Sequence, residues 1–130
     1  MANSELNDVT INSYRDLKVW QGAMELAVAC YDLTKTFPRD EAYGMTAQIR
    51  RAAASVAANI AEGHGRESTA SFVQFLRIAQ GSLKELETHV ILAGRVGLAA
   101  NVEQILEPAS VIGKMLRALI RSLQKDRADG

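Results

Sequence analysis

The 130-residue sequence predicts an all-α protein, an antiparallel up-down-up-down four-helix bundle. Three observations carry this. Apolar residues recur in alternating steps of three and four through four long segments, which puts one continuous apolar stripe on each of four helices. The composition is 48% hydrophobic but only 5% aromatic, with two prolines, and alanine and leucine dominate. Such a mixture favours helix over strand. The connections between segments are short, which forces sequential helices to run antiparallel.

The first helix is written in Leu17, Trp20, Met24, Ala27, Tyr31 and Thr34. Phe37-Pro38-Arg39-Asp40 ends it, because proline biases its predecessor away from helical dihedrals. Met45, Ile49, Ala52, Val56 and Ile60 mark the second helix, which Gly63 and Gly65 close by adopting the left-handed conformation. Ser68 or Thr69 can cap the third, whose stripe is Phe72, Leu76, Ala79, Leu83, Leu86, Val90 and Ala93. Gly94 to Asn101 separates it from the fourth, carried by Ile105, Ala109, Ile112, Leu116, Leu119 and Leu123. Asn101 and Gln104 form a variant capping box there. Pro108 is expected to kink this helix or to move its start. A repeat of 3.5 residues suits helices that cross at about 20°.

One domain is expected, with the bundle over residues 15–125. A flexible N-terminal segment over 1–14 and a flexible C-terminal tail over 126–130 flank it. A second apolar stripe runs along the first helix through Val19, Leu26, Cys30, Leu33 and Phe37. Phe75, Ile78 and Ile91 on the third helix, and Val111 and Met115 on the fourth, also lie off the main seams. Either one interior absorbs wide stripes, or part of this surface joins copies of the chain into a homo-oligomer.

Fifteen basic and fifteen acidic residues balance, so net charge demands neither a nucleic acid nor a membrane. Residues 1–43 carry four basic and seven acidic residues, residues 44–130 eleven and eight. The N-terminus has no apolar signal core and no segment reaches the ~18 apolar residues of a membrane span. A cytoplasmic protein with no membrane partner is expected. The single cysteine, Cys30, forms no internal disulfide.

The stretch SVAANIAEGHGRES, residues 55–68, resembles a catalytic site most. A phosphate loop needs a preceding strand and a longer glycine pattern, whereas here a helix precedes an isolated Gly-x-Gly. It therefore reads as a helix junction, and a hydrolase built on Glu62 and His64 is the remote alternative. Gln48, Ser55, Asn59 and Glu62 are spaced by seven, four and three, so they share one flank of the second helix. Gln80 and Glu87 flank the seam of the third. Together they predict a half-buried structural polar network, with Arg50, Arg51 and Arg77 as available cations. No nucleophile or paired acid stands at a recognisable spacing, so no catalytic residue is assigned. Only His64 and His89 are present, without the Glu-x-x-His pairs of di-iron bundles. No metal, cofactor or small-molecule substrate is expected.

Lys114, Arg117, Arg121 and Lys125 are spaced by three, four and four, opposite the Leu116/Leu119/Leu123 seam, and no acidic residue interrupts 108–125. This is either a solvated face near a helix C-terminus or a phosphate-contacting strip for RNA or DNA. It holds no aromatic residue for base stacking, which argues against sequence-specific reading of single strands. Arg50 and Arg51 are the further candidates.

The runs DLKVWQGAMELAVACYDLTKTFP, QIRRAAASVAANIAEGHGR and FVQFLRIAQGSLKELETHVILAGRVG resemble the bacterial four-helix-bundle proteins encoded within 23S rRNA intervening sequences. The resemblance spans about Tyr14 to Gln124. Ala61-Glu62-Gly63 and Gly81-Ser82-Leu83-x-Glu85-Leu86-Glu87 carry its most specific part. It implies an antiparallel bundle assembled as a homopentamer, without established catalysis. It also implies kinship with the accessory variability proteins of diversity-generating retroelements, which bind nucleic acid and a reverse transcriptase through a positive surface.

Overall fold

The computed structural model describes residues 11–129. Four helices make up the fold: α1 (Lys18–Thr34), α2 (Met45–His64), α3 (Thr69–Arg95) and α4 (Glu103–Asp129), with 3-10 turns at Tyr14–Asp16 and Arg39–Glu41. Among the described residues α1 packs on α2 and α4, and α3 packs on α2 and α4, with no diagonal contact. The paired contacts run in opposite chain directions. Gly63 of α2 meets Phe72 and Phe75 of α3, while Ser55, one stretch earlier, meets Ser82, one stretch later. Gly94 of α3 faces Val102, and Leu83 reaches Gly113 of α4. The bundle is thus cyclic and antiparallel.

The termini of the helices show why the chain turns where it does. Ser13 accepts from Arg15 N–H at 3.1 Å while Asp16 accepts from Ser13 N–H at 3.1 Å, a capping box on the first turn. That turn seats Tyr14 edge-on against Trp20, ring centroids 5.1 Å apart. Residues 11–14 of the segment assigned as flexible are therefore tied to the bundle, whereas residues 1–10 lie outside the described residues. At the other end α4 continues to Asp129, past the boundary at 125. Residue 130 lies outside the described residues. Ser68 caps α3 by accepting from Ser71 N–H at 3.1 Å.

The glycines divide the work differently from the sequence expectation. Gly65 closes α2 with φ −79°, an ordinary right-handed value. Gly63 lies inside the helix, where an added Cβ would stand 2.7 Å from Phe75 Cβ and 3.1 Å from Phe72 Cδ1. Its missing side chain lets α3 approach. The left-handed closure occurs at Gly97, φ +85°. There Leu98 N–H donates to Ala93 C=O at 2.9 Å and Gly97 N–H to Gly94 C=O at 3.2 Å, the pair of bonds that satisfies the last carbonyls of α3. The expected Asn101/Gln104 capping box does not form. The first turn of α4 closes instead on Val102 C=O, which accepts from Ile105 and Leu106 N–H. Pro108 sits inside α4 without moving its start.

The core follows the predicted seams of α2, α3 and α4. Ile49, Val56, Ile60, Leu76, Leu83, Leu86, Val90, Ile105 and Leu116 are all fully buried. Along α1 the interior takes residues of both predicted stripes, Leu17, Ala27 and Thr34 of the first with Val19, Leu26, Cys30 and Phe37 of the second. Val19, Ala23, Leu26, Ala27, Cys30 and Thr34 face inward, and Met24, Val28 and Tyr31 remain 41%, 58% and 43% exposed. Burial pushes the Cys30 thiol up to about 12 from an ordinary 9.0, so it stays protonated at neutral pH. No helix among the described residues is long and apolar enough to cross a membrane.

Candidate nucleic-acid interface

Lys114, Arg117, Arg121 and Lys125 are all exposed, on the face of α4 turned away from Ile112 and Leu116. Among the described residues none of the four has an ion-pair or hydrogen-bond partner. They run along about 16 Å of helix at 1.5 Å per residue. The strip is therefore a line of unneutralised cations held at fixed spacing by a rigid helix.

Arg50 and Arg51 do not join it. They belong to α2, diagonal to α4. They also sit where α1 ends and α2 begins, whereas the strip lies toward the end where α2 ends and α3 begins. Arg50 is occupied within the fold: its Nε donates to Thr34 Oγ1 at 2.8 Å and its guanidinium lies 4.4 Å from the Tyr31 ring centroid. Thr34 in turn donates to Cys30 C=O at 2.9 Å. This clamp ties α2 to the last turn of α1. Arg51 is exposed and among the described residues reaches only Gln48 Oε1, at 3.4 Å.

The expected polar network is divided into local pieces. Its centre is Ser55, whose hydroxyl meets Ser82 Oγ at 2.8 Å across the α2–α3 seam. Asn59 Nδ2 donates to Ser55 C=O at 2.8 Å and to Ser55 Oγ at 3.0 Å. Ser82 was missed by sequence reasoning, although it sits in the Gly81-Ser82-Leu83 run. Glu62 stays outside this cluster. It accepts from Arg66 at 2.8 Å in an exposed pair, and the Arg66 guanidinium lies over the Phe75 ring. Glu87 accepts from Lys84 on its own helix at 3.1 Å. Gln80 has no hydrogen-bond partner among the described residues. His64 packs edge-on against Phe72 and His89 stands 3.6 Å from Glu85. Among the described residues no cluster of three or more His, Cys, Asp or Glu could hold a metal.

A second feature lies between α1 and α2. A groove of about 590 Å³ is floored by Ala54, Ala57, Ala58 and Ala61 and walled by Tyr14, Trp20, Met24, Val28 and Tyr31. The stripe left outside by α1 forms that wall. Asp32 and Lys35 stand at its rim, 3.4 Å apart.

Residues 15–118 match the family described as 23S rRNA-intervening sequence protein. The chain belongs to this family. It is also similar to a protein of unknown function from the S23 ribosomal protein family of Bacteroides thetaiotaomicron, known from a crystal structure. The two are 28% identical, the match covers 78% of this chain and 97% of that one, and the TM-score is 0.71. No curated protein matches the chain. Membership in the 23S rRNA-intervening sequence family agrees with the four helices and the absence of strands among the described residues, and leaves the chemistry to be read from the side chains.

Proposed function

We propose that the protein is a non-enzymatic homo-oligomer of the cytoplasm, five copies as the resemblance implies, that binds RNA, DNA or a nucleic-acid enzyme such as a reverse transcriptase through α4. The observation that supports this reading is the row of four exposed, unpartnered cations from Lys114 to Lys125. Assembly repeats the row by symmetry, so a chain with no net charge still presents strong local fields. The aromatic-free strip fits contacts to the phosphate backbone rather than base stacking. A non-catalytic role is supported by Glu62 and His64, which are held in contacts with Arg66 and Phe72.

Titrating duplex DNA and structured RNA at several salt concentrations tests the reading. If each of the four cations neutralises one phosphate, log affinity on duplex DNA falls by roughly 3.6 per decade of salt for one strip. Exchanging Arg117→Glu together with Arg121→Glu abolishes binding. Affinity that is unchanged by salt and by this pair of substitutions removes α4 as the interface. The second reading, a purely self-assembling protein-interaction module, is favoured by the apolar groove between α1 and α2. It predicts assembly with no nucleic acid bound at any salt concentration.

A further inference from the structure

Two stretches of the sequence hold no acidic residue, Ser68 to Lys84 leading into α3 and Pro108 to Lys125 on α4. The fold lays one beside the other. Leu83 Cδ2 stands 3.4 Å from where a Cβ on Gly113 would lie, and Val102 Cγ1 stands 2.8 Å from where one on Gly94 would lie. The two contacts share a register, since eleven residues separate Leu83 from Gly94 and eleven separate Val102 from Gly113. Arg77, six residues before Leu83, is therefore level with the turn of α4 between Arg117 and Arg121.

Both helices carry cations on the outer side of this seam. Leu83, Gln80 and Arg77 follow one another at steps of three and pass from buried through half-buried to exposed. On α4, Gly113, Arg117, Arg121 and Lys125 follow at steps of four, from a buried glycine against α3 to exposed cations. Arg77 has no hydrogen-bond or ion-pair partner among the described residues. Lys84, the other cation of its stretch, pairs with Glu87 at 3.1 Å. Axes of packed helices lie about 8–10 Å apart, so Arg77 stands off the α4 row by about that distance. The face is two rows wide.

We infer that Arg77 belongs to the nucleic-acid interface and that the ligand is a duplex, held through phosphates of both strands. The inference rests on the nucleic-acid reading of α4 and adds the second helix and the form of the ligand. Cation rows on two rigid helices suit phosphates held at a fixed separation. A duplex presents these across a groove, whereas a single strand has no fixed second row. A single strand gains instead from stacking on aromatic side chains. Phe72 and Phe75, the aromatic residues of the α3 stretch, turn to Gly63 on the α2 side. Gln80 lies between Arg77 and the α4 row without a hydrogen-bond partner among the described residues. Its amide is placed to meet a phosphate or sugar oxygen.

Arg77→Gln removes the charge at an exposed helical position. Arg39→Gln, in the turn before α2 at the opposite end of the bundle, is the control. Each is titrated against a short RNA duplex, a DNA duplex of the same sequence and the separate strands, with circular dichroism checking helix content. For each copy engaged, wild-type log affinity for the DNA duplex is expected to fall by roughly 4.5 per decade of salt, five phosphates in place of four. Arg77→Gln is expected to lower that slope by about 0.9 and to weaken binding about eightfold at 0.1 M salt, the counterion release of one phosphate. Arg39→Gln changes neither. Single strands bind more weakly than the duplexes, and the tighter duplex shows whether RNA or DNA geometry fits the face. An unchanged slope in Arg77→Gln overturns the role of α3. Single strands that bind as tightly as duplexes overturn the assignment of the ligand. In both cases the α4 reading stands if Arg117→Glu with Arg121→Glu still abolishes binding. A wild-type chain that binds none of these probes removes the α4 reading itself, so the two failures are told apart.

Discussion

The two sides of α2 use the same small residues to opposite ends. Toward α3, Gly63 leaves room that Phe72 and Phe75 fill, and Ala52 and Ala53 are buried further along the helix. The Ser55–Ser82 contact then pins the register with a bond that only one alignment of the two helices satisfies. Toward α1, Ala54, Ala58 and Ala61 again leave room, but α1 turns Val19, Ala23 and Leu26 to the core and holds Trp20, Met24 and Tyr31 aside. An alanine face permits close approach. Whether it becomes a seam or a groove depends on which side chains the facing helix brings.

Removing filling from the closed side gives the largest effect. Ile60→Ala deletes a fully buried side chain of α2 and is expected to cost about 3 kcal/mol, the usual range for such a cavity. Denaturant unfolding measures it, and a loss under about 1 kcal/mol means that the seam collapses into the space. Adding volume comes next. Gly63→Ala gains about 1 kcal/mol of helix propensity, yet its Cβ meets Phe75 at 2.7 Å. A net loss of about 2 kcal/mol is expected from overpacking, seen as a lower Tm. A stabilised variant would mean that α3 shifts freely and that the closed side is not closely fitted. The smallest contrast sets Ser55→Ala against Ala58→Arg. The first leaves Ser82 without its hydroxyl partner, while Asn59 keeps its bond to the residue-55 C=O, and is expected to cost about 1 kcal/mol. The second adds a long side chain on the open side and is expected to change monomer stability by less than about 0.5 kcal/mol.

The three seams of α2, α3 and α4 were legible because one apolar stripe on each helix clearly outweighs the rest of its surface. On α1 two stripes compete. Each is only partly buried: Leu17, Ala27 and Thr34 of one and Val19, Leu26 and Cys30 of the other face the core, while Met24 and Tyr31 stay exposed, because apolar spacing does not say where a wide stripe meets its neighbours. The Gly63–Gly65 pair marked the correct junction for an incomplete reason. A left-handed turn and a close helix contact leave the same letter in the sequence, and only the neighbours Phe72 and Phe75 tell them apart. Among candidate site residues, Lys114, Arg117, Arg121 and Lys125 keep their relation because all lie on one helix. Arg50 does not, because its partners Thr34 and Tyr31 come from another helix, which spacing along a single segment cannot reveal. The polar network fragmented for a related reason: charged members find partners nearby in sequence before reaching across, Glu87 with Lys84 on its own helix and Glu62 with Arg66 in the turn just past the end of α2.

Cys30 has a practical consequence for all of these measurements. As the chain's one cysteine it is fully enclosed, and its thiol remains uncharged until strongly alkaline conditions. The thiolate is the species that reacts with maleimides and iodoacetamides. A fluorophore or spin label directed to a cysteine introduced on the outside of the bundle will therefore report from that position alone, and the native residue need not be removed first.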